Sequence, residues 1–398
     1  MLCHTLVFSD VHLTTLVEAR ADGWLAYRRA ELAPDALLAR VIGHAHRAAQ
    51  RERAAFELVF AGDLFDLDAP PECGEATVCT YGDCRTDAGA AEVAHRVLTD
   101  HPAFVGAVAR VLADDVSSRV VFLPGNHDAQ LAFLSVRHAI ATALRSAALT
   151  RRLAFRSWFH RSADGRVIVE HGHQYDSLCV MDRMFARIGP AGTATLEDTV
   201  GTVGTHFGQA LFGLLNPYSP FEFSERSRMM RACIRRAASD VGRGVAALAA
   251  FRELVTVRAD PPAPSELAGW LAFVARETGL PRSALERHCA LWAPKADVSE
   301  LAYAVTGSSD HSAAVSARVS SSMEAVADLY DGTRAVVTGH THEPFAYTDA
   351  MGRLFANAGS WTPPSKPGQP AGTFISIVSD PHHLAGALRT VWPDGSVS

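Results

Sequence analysis

Five times along this chain a short apolar run ends in residues able to hold a metal ion. Leu6-Val7-Phe8-Ser9 leads into Asp10-Val11-His12, and Glu57-Leu58-Val59-Phe60-Ala61 leads into Gly62-Asp63-Leu64-Phe65-Asp66. Val120-Val121-Phe122-Leu123-Pro124 leads into Gly125-Asn126-His127-Asp128. Val167-Ile168-Val169-Glu170 leads into His171-Gly172-His173, and Arg334-Ala335-Val336-Val337-Thr338 into Gly339-His340-Thr341-His342. Apolar runs of this length read as buried strands. The polar residues then fall at strand C-terminal ends, where an open α/β sheet keeps its ligands. Taken singly, each block could be a turn, because Gly and Asn favour left-handed backbone and Asp caps helices. Five blocks in order predict one assembled site.

Local geometry supports the same expectation. Alternation along extended backbone aims Asp10 and His12 to one side. Gly62 allows backbone to approach the site closely.

Composition bounds the rest. A chain of 398 residues is long enough for two average domains, or for one large domain with an insertion. Hydrophobic residues make up 48% and charged residues 20%, which fits a soluble protein with a substantial core. The net charge of −6 gives no basic footprint for long nucleic acid. Cysteines number seven, an odd count without a C-x-x-C pair. Cys73, Cys79 and Cys84 cluster too loosely for a clear zinc site. Free thiols in a reducing cytoplasm fit better. No signal-like start is present, and no run reaches the roughly 18 apolar residues of a membrane helix. The expected location is cytoplasmic, with membrane contact at most peripheral.

Further elements are expected along the chain. Residues 5–9 are the first, central strand, and a helix follows over 35–53, carrying His44 and His46 as surface or packing residues. Residues 67–89 form a loop, and 90–100 and 102–115 form helices. A helix spans 130–146. Residues 153–159 and 167–170 form a strand pair around the Ala163-Asp164-Gly165 turn. Residues 345–349 and 353–357 form a hairpin, and 373–379 with 387–392 complete a second sheet.

The set D-x-H, G-D-x-x-D, G-N-H-D, H-G-H and G-H-T-H resembles the calcineurin-like metallophosphoesterases, over about residues 5–175 and 333–379. The resemblance implies an α/β fold of the four-layer α+β type: two packed mixed β-sheets flanked by helices. It divides the chain into a first core part, 1–176, a helical cap insertion, 177–331, and a second core part, 332–398. It also implies two divalent metal ions. Asp10, His12, Asp63 and His342 hold the first, and Asp63, Asn126, His171 and His340 hold the second. Asp63 is the bridge, because a group with two oxygens can span ions about 3.5–4 Å apart. Imidazole, carboxylate and one neutral amide suit manganese first, then iron, zinc, cobalt or nickel, and suit calcium poorly.

The chemistry implied by the resemblance is in-line attack on phosphorus by a water or hydroxide bridging the metals. His127 then stabilises or protonates the leaving oxygen. Asp66 steadies the His127 ring, with Asp128 as the alternative partner or a helix cap. His173 is a supporting group, a substrate contact or a turn residue. Arg226, Arg228 and Arg231 form either a solvated helix face or a set of forks for phosphate oxygens.

Leu67 and Asp128 stand where protein Ser/Thr phosphatases of the family carry Arg and Glu, which argues against that branch. The wording G-D-L-F-D, G-N-H-D and H-G-H-Q-Y-D resembles bacterial enzymes similar to UDP-2,3-diacylglucosamine pyrophosphohydrolase. This implies hydrolysis of a phosphodiester or pyrophosphate bond in a small phosphorylated substrate, nucleotide-sugar or lipid-linked. The alternatives are a nuclease or cyclic-nucleotide phosphodiesterase, and a non-catalytic scaffold. The acidic net charge disfavours long nucleic acid, and the filled ligand positions disfavour the scaffold.

Overall fold

Side chains alternate between the two faces with period two along the first strands, and because successive positions are apolar, two different cores form on the two faces of one sheet. In β1 (Cys3–Phe8), Leu6 and Phe8 face one core and Val7 the other. In β2 (Ala55–Ala61), Leu58 and Phe60 oppose Val59 and Ala61. In β3 (Ser118–Leu123), Val120 and Phe122 oppose Val121 and Leu123. Each fully buried side chain of this kind contributes about 1.5–3 kcal/mol.

The computed structural model describes residues 2–16, 33–67, 87–114, 117–145, 152–177, 179–180, 264–294, 310–362 and 368–398. The remaining strands are β4 (Leu153–Phe155), β5 (His160–Arg161), β6 (Val167–Val169), β7 (Ala335–Thr338), β8 (Phe345–Thr348), β9 (Leu354–Asn357), β10 (Gly372–Ser379) and β11 (Leu384–Val391). The helices are α1 (Asp35–Arg51), α2 (Asp87–Asp100), α3 (Pro102–Asp114), α4 (Leu134–Ala143), α5 (Pro264–Thr278), α6 (Arg282–Cys289) and α7 (Asp310–Leu329). Two mixed sheets result, ordered β11-β10-β1-β2-β3-β4 and β5-β6-β7-β9-β8.

Strands β1, β2, β3 and β4 run parallel, as do β6, β7 and β9. Registers Phe8↔Phe60, Phe60↔Phe122 and Val169↔Val337 bring the C-terminal ends level within each sheet. All five polar blocks therefore leave their sheets at matched ends.

Three apolar clusters hold this arrangement. Leu38 and Ile42 of α1, Phe104 and Val108 of α3, and Val136 and Ile140 of α4 pack on Phe8, Phe60 and Phe122. Val7, Val59 and Val121 share a second cluster with Val169, Val337 and Ala356 of the other sheet. Trp270, Val274, Leu285, Val319 and Met323 of α5, α6 and α7 pack with Ile168, Val336 and Phe355.

Several expectations are corrected here. β10 and β11 extend the first sheet, with β10 antiparallel to β1 through pairs such as Thr5↔Ile377. The expected pair 153–159 with 167–170 is split between sheets. β4 joins β3, and only His160–Arg161 pairs with β6. The helix expected over 130–146 begins as a 3-10 turn, Ala129–Ala132, and restarts at Leu134 because Phe133 is extended, with φ −71° and ψ 137°. Within the stretch 177–331, the described helices α5, α6 and α7 share an apolar cluster with residues of the second sheet. Residues 181–263 lie outside the described residues, as do Cys73, Cys79 and Cys84. His46 is buried, its Nε2 3.3 Å from Ser118 Oγ. No helix among the described residues is long and apolar enough to cross a membrane.

Candidate metal centre

Seven non-glycine residues have positive φ among those described, and five of them belong to the polar blocks: Asp10 (52°), His12 (55°), Asp63 (49°), His340 (70°) and His342 (59°). Left-handed backbone costs a side-chain-bearing residue about 1–2 kcal/mol. Such strain persists only where the surroundings over-determine it, and it concentrates at functional sites. Here the loops lock one another. Asp10 N–H donates to Gly62 O at 3.2 Å, and the N–H groups of Val11 and His12 both donate to Asp63 O, at 2.9 and 3.0 Å.

Two adjoining groups of side chains result. Asp10, His12 and His342 form the first, with His342 Nε2 3.1 Å from Asp10 Oδ1 and 3.3 Å from His12 Nε2. Asp63, His171 and His340 form the second, with His171 Nε2 3.1 Å from Asp63 Oδ2. Asn126 joins this group, its Oδ1 3.3 Å from His171 Nε2. The two groups meet where His340 N–H donates to Asp10 Oδ2 at 2.8 Å.

The proton inventory of these groups suits cations. His171 Nδ1 is 2.9 Å from the Ala61 carbonyl, which can only accept, so Nδ1 carries the hydrogen. Its Nε2 lone pair then faces two oxygens, Asp63 Oδ2 and Asn126 Oδ1. His12 Nδ1 is 2.7 Å from Asp66 Oδ1, which leaves His12 Nε2 pointing its lone pair at His342 Nε2. Asp10 Oδ1 is buried and has no hydrogen-bond donor. Lone pairs converging among buried groups repel unless a proton or another positive charge stands among them. The residues fit a pair of divalent ions, since imidazole and carboxylate are ligands for borderline metals.

Without such ions the charges must settle among themselves. Burial alone would depress His171, but the carboxylates of Asp63 and Asp10 push it up to about 9. Burial works against the Asp10 and Asp63 carboxylates, and the His171 charge beside them holds both well below the usual range. Burial lowers His12 as well, and Asp66 more than restores it, to a raised value.

The structure places Asp66 and Asp128 as follows. Asp66 Oδ1 lies 2.7 Å from His12 Nδ1 but 3.9 Å from His127 Nδ1, so its main partner is His12. Asp128 is fully buried and does not hold His127. Its carboxylate accepts N–H bonds from Gly125 at 2.7 Å, Asp63 at 3.2 Å, Leu64 at 2.9 Å and Phe65 at 3.3 Å. It makes no side-chain cap on the following 3-10 turn. Its work is to tie the loop after β2 to the loop after β3. Burial and the Asp63 charge push it up to about 7, against the pull of those donors.

His127 donates its backbone N–H to Asp63 Oδ1 at 2.8 Å, and its side chain, 36% exposed, stands with that of His342, 35% exposed, at the rim of the cluster. His173 is buried, and neither ring nitrogen has a hydrogen-bond partner. Its ring lies 5.2 Å from that of His171. Burial and the charges on His171 and His340 hold it well below the usual histidine range, hence neutral. Arg226, Arg228 and Arg231 lie outside the described residues.

Sequence reasoning missed Asp176. Its Oδ2 is 3.1 Å from His340 Nε2, a carboxylate supporting an imidazole at the site. The only sequence signal was its place in the H-G-H-Q-Y-D run. Asn357 is expected only as the last residue of a hairpin strand. Its Nδ2 donates to Gly339 O at 2.6 Å, and its Oδ1 accepts from Gly359 N–H at 2.9 Å, bracing the block after β7.

No protein-family model matches the chain, and no curated protein matches it. Among solved structures, the chain is similar to a dimetal phosphatase from Danio rerio. Identity is 13%, 94% of this chain and 95% of that chain are covered, and the TM-score is 0.33. A superposition that loose carries no argument about function.

Proposed function

We propose that this protein is a phosphoesterase dependent on two divalent metal ions, and that it hydrolyses a phosphodiester or pyrophosphate bond. The observation that carries the reading is His171: Nδ1–H is tied to Ala61 O, and Nε2 faces Asp63 Oδ2 and Asn126 Oδ1 at 3.1 and 3.3 Å. With Nδ1–H committed to Ala61, Nε2 meets these two oxygens only with a proton or a metal ion among them, and divalent ions take the place of that proton. In this reading Asp10, His12, Asp63 and His342 hold one ion, and Asp63, Asn126, His171 and His340 hold the other. Two ions so held, manganese first among the candidates, offset phosphoryl charge and lower the pKa of water.

The chain's own residues supply positioning and the proton. Asp66 fixes the His12 ring and Asp176 fixes the His340 ring, so neither ligand needs to reorganise. His127 is the most exposed imidazole facing this cluster from the β3 loop. When water adds to phosphorus and the bond to the leaving oxygen breaks, the imidazolium gives its proton to that oxygen. The substrate is a small phosphorylated molecule, and the motif wording favours a nucleotide-sugar or lipid-linked anhydride over a monoester.

The test is hydrolysis of a panel by manganese-loaded protein: a phosphomonoester, a phosphodiester, a nucleotide-sugar pyrophosphate and a lipid-linked pyrophosphate. The expected result is turnover of a diester or anhydride that is lost in Asn126→Ala. His127→Ala is expected to lose about 10²–10⁴-fold in kcat, the usual contribution of a general acid. Metal-loaded protein inert on the whole panel would overturn the reading.

A further inference from the structure

His340 belongs to two groups of ligand-type side chains. Beside its place with Asp63 and His171, it forms a group with Asp176 and Cys179. One carboxylate oxygen, one sulfur and one ring nitrogen lie within 4.8 Å of one another there. Asp176 and Cys179 come from a single turn, in which the N–H groups of Cys179 and Val180 both donate to Asp176 O, at 3.0 and 2.8 Å. That turn follows the 3-10 segment His173–Tyr175 beyond β6, whereas His340 follows β7. Parallel pairing of β6 with β7 sets the two loops side by side. Asp176 is buried, and Cys179 and His340 are half-buried, so an ion can reach the group from solvent.

We propose that Asp176, Cys179 and His340 form an accessory site for a thiophilic divalent cation of the zinc class. None of the seven residues assigned to the neighbouring centre offers sulfur. Thiolate selects zinc over manganese or magnesium, so the corner and the centre prefer different ions. Three protein ligands with one open position match tetrahedral zinc. Sulfur binds as thiolate, so the Cys179 proton passes to solvent as the ion enters. Because His340 is common to both groups, an ion in the corner draws on a ring that the centre also uses. The site does not depend on the proposed function, and its test needs no enzymatic activity.

Metal-free full-length protein is titrated with cobalt(II) and followed in the near ultraviolet, where cobalt–thiolate charge transfer absorbs and histidine or carboxylate ligation does not. Wild type is expected to develop this band and lose it when zinc is added. Cys179→Ser is expected to lack it, and Asp176→Asn to need more than tenfold more cobalt. A band undiminished in Cys179→Ser, or no band in wild type, overturns the proposal. A second measurement needs no variant: alkylation of Cys179, read by peptide mass spectrometry, is expected to slow at least tenfold with zinc and not with magnesium. Equal alkylation with both ions also overturns it.

Discussion

Asp66 lies 2.7 Å from His12 and 3.9 Å from His127, so the carboxylate of the β2 loop serves the inner histidine before the outer one. A carboxylate behind a metal-binding imidazole fixes its tautomer and orientation, and losing it typically costs 10–100-fold in metal affinity or activity. Asp66→Asn is therefore expected to weaken manganese binding by about 10–100-fold, while His127→Ala leaves it within about twofold. Metal titration of both variants decides the matter. If Asp66→Asn bound manganese like wild type yet turned over slowly, the contact to His127 would be the one that counts.

Asp128 makes a different kind of prediction, because it acts on the fold. Four backbone donors from two loops converge on its carboxylate, and it is fully buried. Each buried donor left unpaired costs about 1–3 kcal/mol. Asp128→Ala is expected to destabilise the protein by about 3 kcal/mol or more. Asp128→Asn keeps one acceptor oxygen and is expected to lose less. Denaturant unfolding separates the two, and an Ala variant as stable as wild type would show that the loops do not depend on this group.

The strands and the five polar blocks were legible because their signal is local: an apolar run, then ligand residues at its end. The pairing of those strands was not. β10 sits beside β1 although Thr5 and Ile377 are at opposite ends of the chain, and nothing in either run names its partner. Asp66 looked like a partner for His127 because a short carboxylate serves whichever ring tertiary structure brings nearer, and β1 brings His12. Asp176 was passed over for the same reason, since its partner His340 is 164 positions away. The left-handed backbone at Asp10, His12, Asp63, His340 and His342 was equally hidden, because only neighbouring loops can enforce it.

The response to pH follows from His171. Burial would depress it, but Asp63 and Asp10 push it up to about 9, against an unfolded value of about 6.5. The folded pKa is raised, so the bound proton stabilises the fold fully below about 6.5. That contribution is lost as pH rises through about 9. Chelator-treated protein is expected to lose stability steadily across this window. Manganese-loaded protein is expected to hold its stability there, because the ions take the place of the proton. Unfolding of both forms at several pH values checks this, and a flat profile for the metal-free form would contradict it.

Gly125 gives the sharpest test of how closely the loops after β2 and β3 are packed. A Cβ at this position would stand 2.1 Å from Asp63 Oδ1 and 2.5 Å from Asp63 N, closer than real Cβ contacts come. The obstacle includes backbone, which is itself fixed by the bond from Asp63 N–H to Asp128. Gly125→Ala must therefore displace Asp63, the residue assigned to both ions, and with it Asn126 next in sequence. It is expected to lose manganese binding by more than about tenfold and to destabilise by about 1–3 kcal/mol, the usual overpacking cost. Gly269 is the control, on the exposed face of α5 with nothing within 4 Å of an added Cβ. Gly269→Ala is expected to bind manganese normally and to gain about 0.5–1 kcal/mol from helix propensity. Metal titration and unfolding of the two variants side by side check the contrast. Normal manganese affinity in Gly125→Ala would mean that Asp63 can shift without loss, and it would remove Asp63 from the bridging position.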